Sequence, residues 1–198
     1  MKQALIIFAK NPEVGKVKTR LAASIGNEAA LAVYHQLLLH TVSATEYLLV
    51  DKFVFYSDYI QQEDIWCNKH YFKELQQGID LGERMKNAFA LIFQKGYDKI
   101  AIIGTDCPGL NAEIIMNTFA CLQYNDVAIG PAEDGGYYLL AINKLHDELF
   151  EGIKWSTDNV FNITISKCDA LHLTHYLLPV LNDVDEEKDL QTFKLQRQ

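Results

Sequence analysis

The stretch Ala4–Leu21, ALIIFAKNPEVGKVKTRL, opens with six apolar residues and passes directly into a loop carrying Lys10, Lys16, Lys18 and Arg20. A run that is apolar throughout suits a strand covered on both faces, because a half-exposed strand alternates. Pro12 and Gly15 stop the loop from continuing as a regular element. Similar runs recur at Lys52–Ser57 (KFVFYS), Lys99–Gly104 (KIAIIG) and Asp126–Gly130 (DVAIG). Between them, Asn27–Leu49, Leu81–Lys95 and Asn111–Gln123 place apolar residues at helical spacing, with Gly96 as a stop signal after the second. Alternating strands and helices predict right-handed βαβ units and an α/β fold: a three-layer α/β/α Rossmann-like sandwich with a mostly parallel central sheet. The run Tyr137–Ile142 (YYLLAI) follows Gly135 and Gly136 too closely for a crossover helix, so it should double back or lie at an edge. Tyr176–Leu181 reads as a strand and Glu186–Leu195 as a short amphipathic helix.

The chain has 198 residues, 49% of them hydrophobic, which is enough for one domain spanning residues 1–198 with a substantial core. Its formal net charge of -8 argues against broad nucleic-acid binding, which needs a basic face. A local basic loop in an acidic chain points instead to a small anionic ligand. No apolar run approaches the roughly 20 residues of a membrane span, and the chain starts in a strand pattern rather than a signal peptide, so we expect no membrane span and a cytoplasmic location. Cys67, Cys107, Cys121 and Cys168 show no C-x-x-C spacing and read as reduced, mostly packed thiols. No metal-binding histidine pattern and no nucleophile elbow occur. The sequence leaves the oligomeric state open.

In open parallel sheets, ligands bind beyond the carboxyl ends of the strands, so the loops following each strand carry the functional reading. In the first, Lys10, Gly15, Lys16, Lys18 and Arg20 could wrap a phosphate chain, with Arg gripping oxygens bidentately and Lys acting as a point charge. The competing reading is a solvated basic turn, and the loop lacks the frame of a Walker A motif. In GTDCPGL (Gly104–Leu110), Thr105 and Asp106 follow a strand directly. Asp106 there is a natural hard-oxygen ligand for Mg2+ or Mn2+, and Asn111 is better placed to cap the next helix. In PAEDGGYYLL (Pro131–Leu140), Gly135 and Gly136 would let backbone amides approach a ligand beside Asp134, although a plain turn accounts for Asp-Gly equally well. Near the end, NDVDEEKDL sets Asp183 and Asp185 two residues apart, on one face of an extended segment. They read either as metal ligands with Asp106 or as a solvated acidic turn. Trp155 could stack on a sugar or base, or simply pack.

Taken in order, FAKNPEVGKVKTRL, QQGIDLGERMKNAF, IIGTDCPGL, GPAEDGGYYLL and DVDEEKDL resemble a bacterial glycosyltransferase-like family (DUF2064) of the GT-A-fold nucleotide-diphospho-sugar transferase superfamily, related to 2-phospho-lactate guanylyltransferase. The likeness runs from residue 8 to about residue 190. It implies that Lys10, Gly15, Lys16, Lys18 and Arg20 form a phosphate-gripping loop, with Lys18, Arg20 and Asp106 central to catalysis. It also implies that Gln77, Gly78 and Gly82 pass near the base, with Thr105 beside the phosphates. Asp106 is the implied metal ligand, with Asp183 or Asp185 as the second. Similar proteins follow that acidic pair with Thr-Pro, where this chain has Glu186 and Glu187. Asp134, Gly135, Gly136 and Trp155 would line the acceptor side.

Three functions follow from these readings. The first is metal-dependent nucleotidyl transfer from a nucleoside triphosphate to a phosphorylated small molecule. The second is glycosyl transfer from a nucleotide-sugar to a small-molecule acceptor, with Asp134 as the nominee for general base. The third is nucleotide binding without catalysis.

Overall fold

The computed structural model describes residues 1–195. In chain order the elements are β1 (Gln3–Ala9), α1 (Thr19–Ile25), α2 (Asn27–Thr45), β2 (Asp51–Tyr56), β3 (Tyr71–Leu75), α3 (Leu81–Gln94), β4 (Lys99–Ile103) and α4 (Ala112–Cys121). They continue with β5 (Val127–Pro131), β6 (Tyr137–Ile142), a single 3-10 turn (Asp147–Leu149), α5 (Val160–Ala170), β7 (His175–Leu177) and α6 (Asp189–Leu195). The strands form one seven-stranded sheet in the order β3-β2-β1-β4-β6-β5-β7. Only β6 runs against its neighbours, pairing antiparallel with both β4 and β5. YYLLAI therefore doubles back as expected, but inside the sheet and not at an edge.

The apolar runs are continuous because helices cover both faces of the sheet. Along β1, Leu5, Ile7 and Ala9 face a cluster that includes Tyr34 and Leu38 of α2 and Ile115 and Phe119 of α4. Ala4 and Ile6 face the opposite cluster, with Met85, Phe89 and Ile92 of α3 and Cys168 of α5. Each large apolar side chain buried in these layers contributes about 1.5–3 kcal/mol. A third, smaller cluster joins Leu21 of α1, Leu37 of α2, Val184 and Phe193 of α6.

Four elements differ from the sequence reading. β3 is unannounced because it is a short edge strand whose Phe72 is 55% exposed, so it lacks the all-apolar signature. α1 begins directly after Lys18, which places Arg20 on a helix and not in the loop. Gly26, with φ 87°, separates α1 from α2. α5 was not foreseen, because Val160–Ala170 mixes polar and apolar residues without a clear stripe. β7 ends at Leu177, and beyond it Leu181 makes an isolated bridge to Ala132.

No helix among the described residues is long and apolar enough to cross a membrane. The chain runs outward from β1 to β2 and β3, then returns to β4 on the other side of β1. This reversal opens a crevice between the carboxyl ends of β1 and β4, where ligands bind in open α/β sheets.

Candidate functional site

A cleft of about 880 Å³ occupies that crevice. Lys18 forms its floor. The residue sits in the left-handed region (φ 49°) at the cap of α1, a conformation that costs a side-chain-bearing residue of order 1 kcal/mol and persists only when its surroundings enforce it. Its ammonium lies 2.9 Å from Asp106 Oδ2 and donates to Asp185 Oδ1 at 3.0 Å. The Lys18 side chain is 4% exposed and the two carboxylates are each 40% exposed, so the ammonium points from the protein into the cleft's acidic rim. Burial disfavours its charge, but Asp106 and then Asp185 outweigh that penalty and hold its pKa above the ordinary lysine value. Arg20 Nη1 approaches Asp185 Oδ2 at 3.5 Å from α1.

Asp106 follows β4, and its backbone carbonyl accepts from the Val184 N–H at 2.9 Å. This bond ties the NDVDEE segment to the end of β4 and brings Asp183 and Asp185 to Asp106. Asp183 Oδ1 is buried with no hydrogen-bond partner among the described residues. Burial, with Asp106 next, pushes the Asp183 carboxyl up to about 7 against the lowering effect of Lys18. Cys107 lies against the same carboxyl, and burial together with Asp183 pushes its thiol up. Asn111 caps α4 by accepting from the Ile114 N–H at 3.0 Å, which leaves Asp106 out of helix capping.

Two side chains not singled out from the sequence brace this end of the sheet. Tyr34 of α2 accepts from the Lys10 N–H at 2.8 Å, donates to the Lys10 carbonyl at 3.1 Å and lies 3.3 Å from Thr105 Oγ1. It joins the loop after β1 to the loop after β4. Asn11, 2% exposed, accepts from the N–H groups of Asp58 and Tyr59 and donates to the Tyr59 carbonyl, fixing the segment after β2. An Asn beside Pro12 reads as turn chemistry in sequence, so its bracing role had no distinct signal.

Of the residues expected at the site, Lys10, Lys18, Arg20, Thr105, Asp106, Asp134, Gly136, Trp155, Asp183 and Asp185 line the cleft. Gly15, Lys16, Gln77, Gly78, Gly82 and Gly135 stand outside its lining, most of them for evident packing reasons. Lys16 pairs with Glu13 at 2.7 Å. The Gln77 carbonyl accepts from Asn87 Nδ2 at 2.9 Å. Gly82 lies flat against the Trp155 indole, where a Cβ would come within 2.1 Å of Nε1. Gly135, with φ 85°, leaves room for the Asp158 carbonyl, which a Cβ would meet at 1.9 Å. Trp155 thus packs between Gly82 and the ring of Tyr137, 6.5 Å away edge-on, while still presenting a surface to the cleft. Asp134 Oδ1 accepts from the Gly136 N–H at 2.9 Å. Arg84, Gln76, Asp80, Tyr137 and Asp158 are among the other residues that line it.

The chemistry of the three aspartates, though not a preformed three-ligand arrangement, suits a divalent cation. Asp106, Asp183 and Asp185 are hard oxygen ligands, and one buried oxygen of Asp183 lacks a partner among the described residues. With the Lys18 ammonium bridging Asp106 and Asp185, no group of three or more His, Cys, Asp or Glu side chains among the described residues is arranged so that it could hold a metal ion by itself. Mg2+ ordinarily takes one or two carboxylates and completes its shell with water and substrate phosphates, so a closed cage is not required.

No curated protein matches this chain in sequence. A solved structure of a provisionally assigned nucleotide-diphospho-sugar transferase from Desulfovibrio desulfuricans G20 matches with 34% identity over 94% of this chain and 84% of that one, at a TM-score of 0.84. The inositol-1-phosphate CTP transferase of T. maritima matches at 12% identity and a TM-score of 0.58, over 99% and 95% of the two chains. The 4-diphosphocytidyl-2C-methyl-D-erythritol synthase of Anaerococcus prevotii DSM 20548 matches at 11% identity and a TM-score of 0.60, over 100% and 96%. The latter two share the fold. Residues 41–157 match the model of a bacterial family, and together with the near-full-length 34% relative they show that the chain belongs to that family, described as an uncharacterized protein conserved in bacteria (DUF2064).

Proposed function

We propose that this protein is a divalent-metal-dependent transferase using a nucleotide-activated donor, and that its reaction is nucleotidyl transfer from a nucleoside triphosphate to a phosphorylated small molecule. The observation that carries the reading is the gathering of Asp106, Asp183 and Asp185 around the buried Lys18 ammonium at the crevice between β1 and β4. Lys18 offsets Asp106 and Asp185, and a cation that the ligand brings with it would offset the negative charge that remains on the three aspartates. A bound Mg2+ or Mn2+ would neutralise phosphate oxygens and hold them in place. Asp106, Asp183 and Asp185 are the residues to hold it.

Lys18 and Arg20 then bind donor phosphates from the α1 side, and Thr105, braced by Tyr34, flanks them. A phosphate oxygen of the acceptor attacks the α-phosphorus, the bond to the bridging oxygen breaks, and pyrophosphate leaves. No side chain needs to form a covalent intermediate; alignment and charge stabilisation are the protein's contribution. Asp134, Gly136 and Trp155 form the acceptor side. Relatives of the same fold named as CTP-using enzymes support the donor class, and we place the reaction in the cytoplasm, the compartment that holds nucleotide donors.

A second reading, glycosyl transfer, draws on the Trp155 surface beside Asp134 and on the name of the 34% relative. The two are separated by whether the product carries a nucleotide or only a sugar.

The test is a thermal-shift screen of nucleoside triphosphates and nucleotide-sugars, each with and without Mg2+ or Mn2+, on the protein and on Asp106→Asn. A ligand at about 100 times its dissociation constant adds roughly 2.7 kcal/mol of stability. The expected result is a metal-dependent shift with one donor class that disappears in the variant. Absence of any shift in the unaltered protein would overturn the proposal.

A further inference from the structure

The end of β4 opposite the cleft carries a second cavity, of about 940 Å³. It lies where β4 begins and β6 ends, and Phe93, Tyr97, Leu122, Tyr124 and Leu145 give it an apolar, partly aromatic wall. Lys99, the first residue of β4, lines the same cavity and is 3% exposed. Side chains alternate along a strand, so Lys99 points to the face of Ala101 and Ile103, where Leu122 packs just after α4. Its side chain therefore runs towards the wall formed by Leu122 and Tyr124.

A lysine is almost never buried this far unless its charge is paired. Two other buried lysines follow that rule. Lys18 is held by Asp106 and Asp185, and Lys52 donates to the carbonyls of Glu46 and Leu48 at 3.3 and 2.9 Å. The Lys99 ammonium makes no hydrogen bond and has no carboxylate within 4.0 Å among the described residues. Asp98 beside it turns to the backbone instead, where its Oδ2 accepts from the Lys2 N–H at 2.7 Å. Nor does Lys99 cap α4, because the Thr118, Ala120 and Cys121 carbonyls already accept from the N–H groups of Leu122, Gln123, Tyr124 and Asn125. Lys144, exposed at the rim, adds a second cation. An apolar wall with one uncommitted charge is the usual make-up of a small-molecule site, in which the wall supplies contact area and the polar group fixes orientation.

We propose that this cavity binds a small organic anion, an apolar body carrying a carboxylate or a phosphate, whose anionic group pairs with Lys99 and whose body lies against Leu122 and Tyr124. The site is separate from the cleft, because Lys99 opens β4 whereas Asp106 follows its other end. The proposal neither needs nor tests the transferase reading.

The test is calorimetric titration at constant ionic strength, with EDTA present, of benzoate and phenyl phosphate, and of acetate and inorganic phosphate as their counterparts without a ring. The proteins are the unaltered chain, Lys99→Met, Tyr124→Ala and, as the control in the cleft, Arg20→Ala. One ring-bearing anion should bind the unaltered protein, and more tightly than its counterpart. Lys99→Met should weaken it at least roughly tenfold, the size of one charge-assisted hydrogen bond. Tyr124 is 84% exposed, so Tyr124→Ala leaves the core intact and should weaken the same anion by about threefold or more through lost apolar contact. Arg20→Ala should leave the affinity within about twofold. Lys99→Met should melt no lower than the unaltered protein, since it removes an unpaired buried charge; should it fold poorly, Tyr124→Ala decides.

Unaltered binding in Lys99→Met or in Tyr124→Ala, or no binding of either ring-bearing anion by the unaltered protein, would overturn the proposal. So would a loss in Arg20→Ala equal to that in Lys99→Met, which would place the anion in the cleft, or tighter binding of the counterparts without a ring, which would deny the apolar wall any part.

Discussion

Asp183 carries a buried carboxylate oxygen without a hydrogen-bond partner among the described residues, beside two further aspartates and one ammonium. An uncompensated buried charge destabilises the fold, and replacing it by a neutral isostere relieves that penalty. Asp183→Asn is therefore expected to raise the stability of the metal-free protein by about 1–3 kcal/mol in urea denaturation, while removing the stabilisation by Mn2+. A metal-free variant less stable than the parent would show that the carboxylate is already satisfied. Lys18→Met has the opposite sign, because it leaves Asp106 and Asp185 facing each other without their shared ammonium. Those carboxylates are 40% open to solvent, which screens the repulsion and holds the expected loss to about 1–3 kcal/mol. The two variants together separate what each charge does for the fold from what it does for a ligand.

Single contacts between elements set the shape of the cleft. Gly82 is where α3 approaches the loop bearing Trp155, and a methyl group there would overlap the indole at 2.1–2.6 Å. Gly82→Ala should displace the indole, cost about 1–3 kcal/mol and shift the tryptophan emission; an unchanged spectrum with full stability would mean that the ring is not held there. At the far edge of the sheet, Asp126 joins β5 to β7 by accepting from the Thr174 hydroxyl at 2.7 Å and the Thr174 N–H at 2.9 Å. The Thr174 hydroxyl bond, against the opposing effect of burial, lowers the Asp126 pKa below its ordinary value. A folded-state pKa below the unfolded one gives stability that is present above about pH 4 and is lost as pH falls through the folded value. Asp126→Asn should therefore flatten the acid limb of the stability curve below about pH 4, measured as urea midpoints against pH. These elements also show what was legible in the sequence. β1, β4 and β5 could be read because burial on both faces makes a strand apolar throughout, and Asp106 because it follows such a strand. β3 could not, since an edge strand such as YFKEL needs no uniform apolarity. Arg84 lay in a recognisable segment, yet its place in the cleft depends on Gln76 and Gly78 holding the guanidinium, a relation that only the folded chain displays. Gly78 and Gly82 were legible as special positions, but one brings its backbone against the start of α3 and the other against Trp155, and neither lines the cleft.

At the scale of the whole molecule, the opening basic loop has to be weighed against a formal net charge of -8. The balance continues inside the cleft, whose lining contains Asp80, Asp106, Asp134, Asp158, Asp183 and Asp185 against Lys10, Lys18, Arg20 and Arg84. Lys18 and Arg20 are thus committed to aspartates and Lys16 to Glu13, and a free triphosphate approaching the cleft meets more negative charge than positive. A divalent cation offsets that excess and converts the cleft into a site for phosphates. Salt therefore acts in opposite directions in the two states, because screening weakens whichever interaction dominates. Without divalent cations, triphosphate binding should be weak, and raising KCl from about 50 to 300 mM, which shortens the screening length to well under 10 Å, should leave it unchanged or slightly stronger. With Mn2+ present, binding should be tight and should weaken over the same range. Calorimetric titrations at the two salt concentrations, with Mn2+ or with EDTA, measure both arms. Tight metal-free binding that collapses with salt would mean that the loop cations alone hold the phosphates, and the aspartate cluster would then need another explanation.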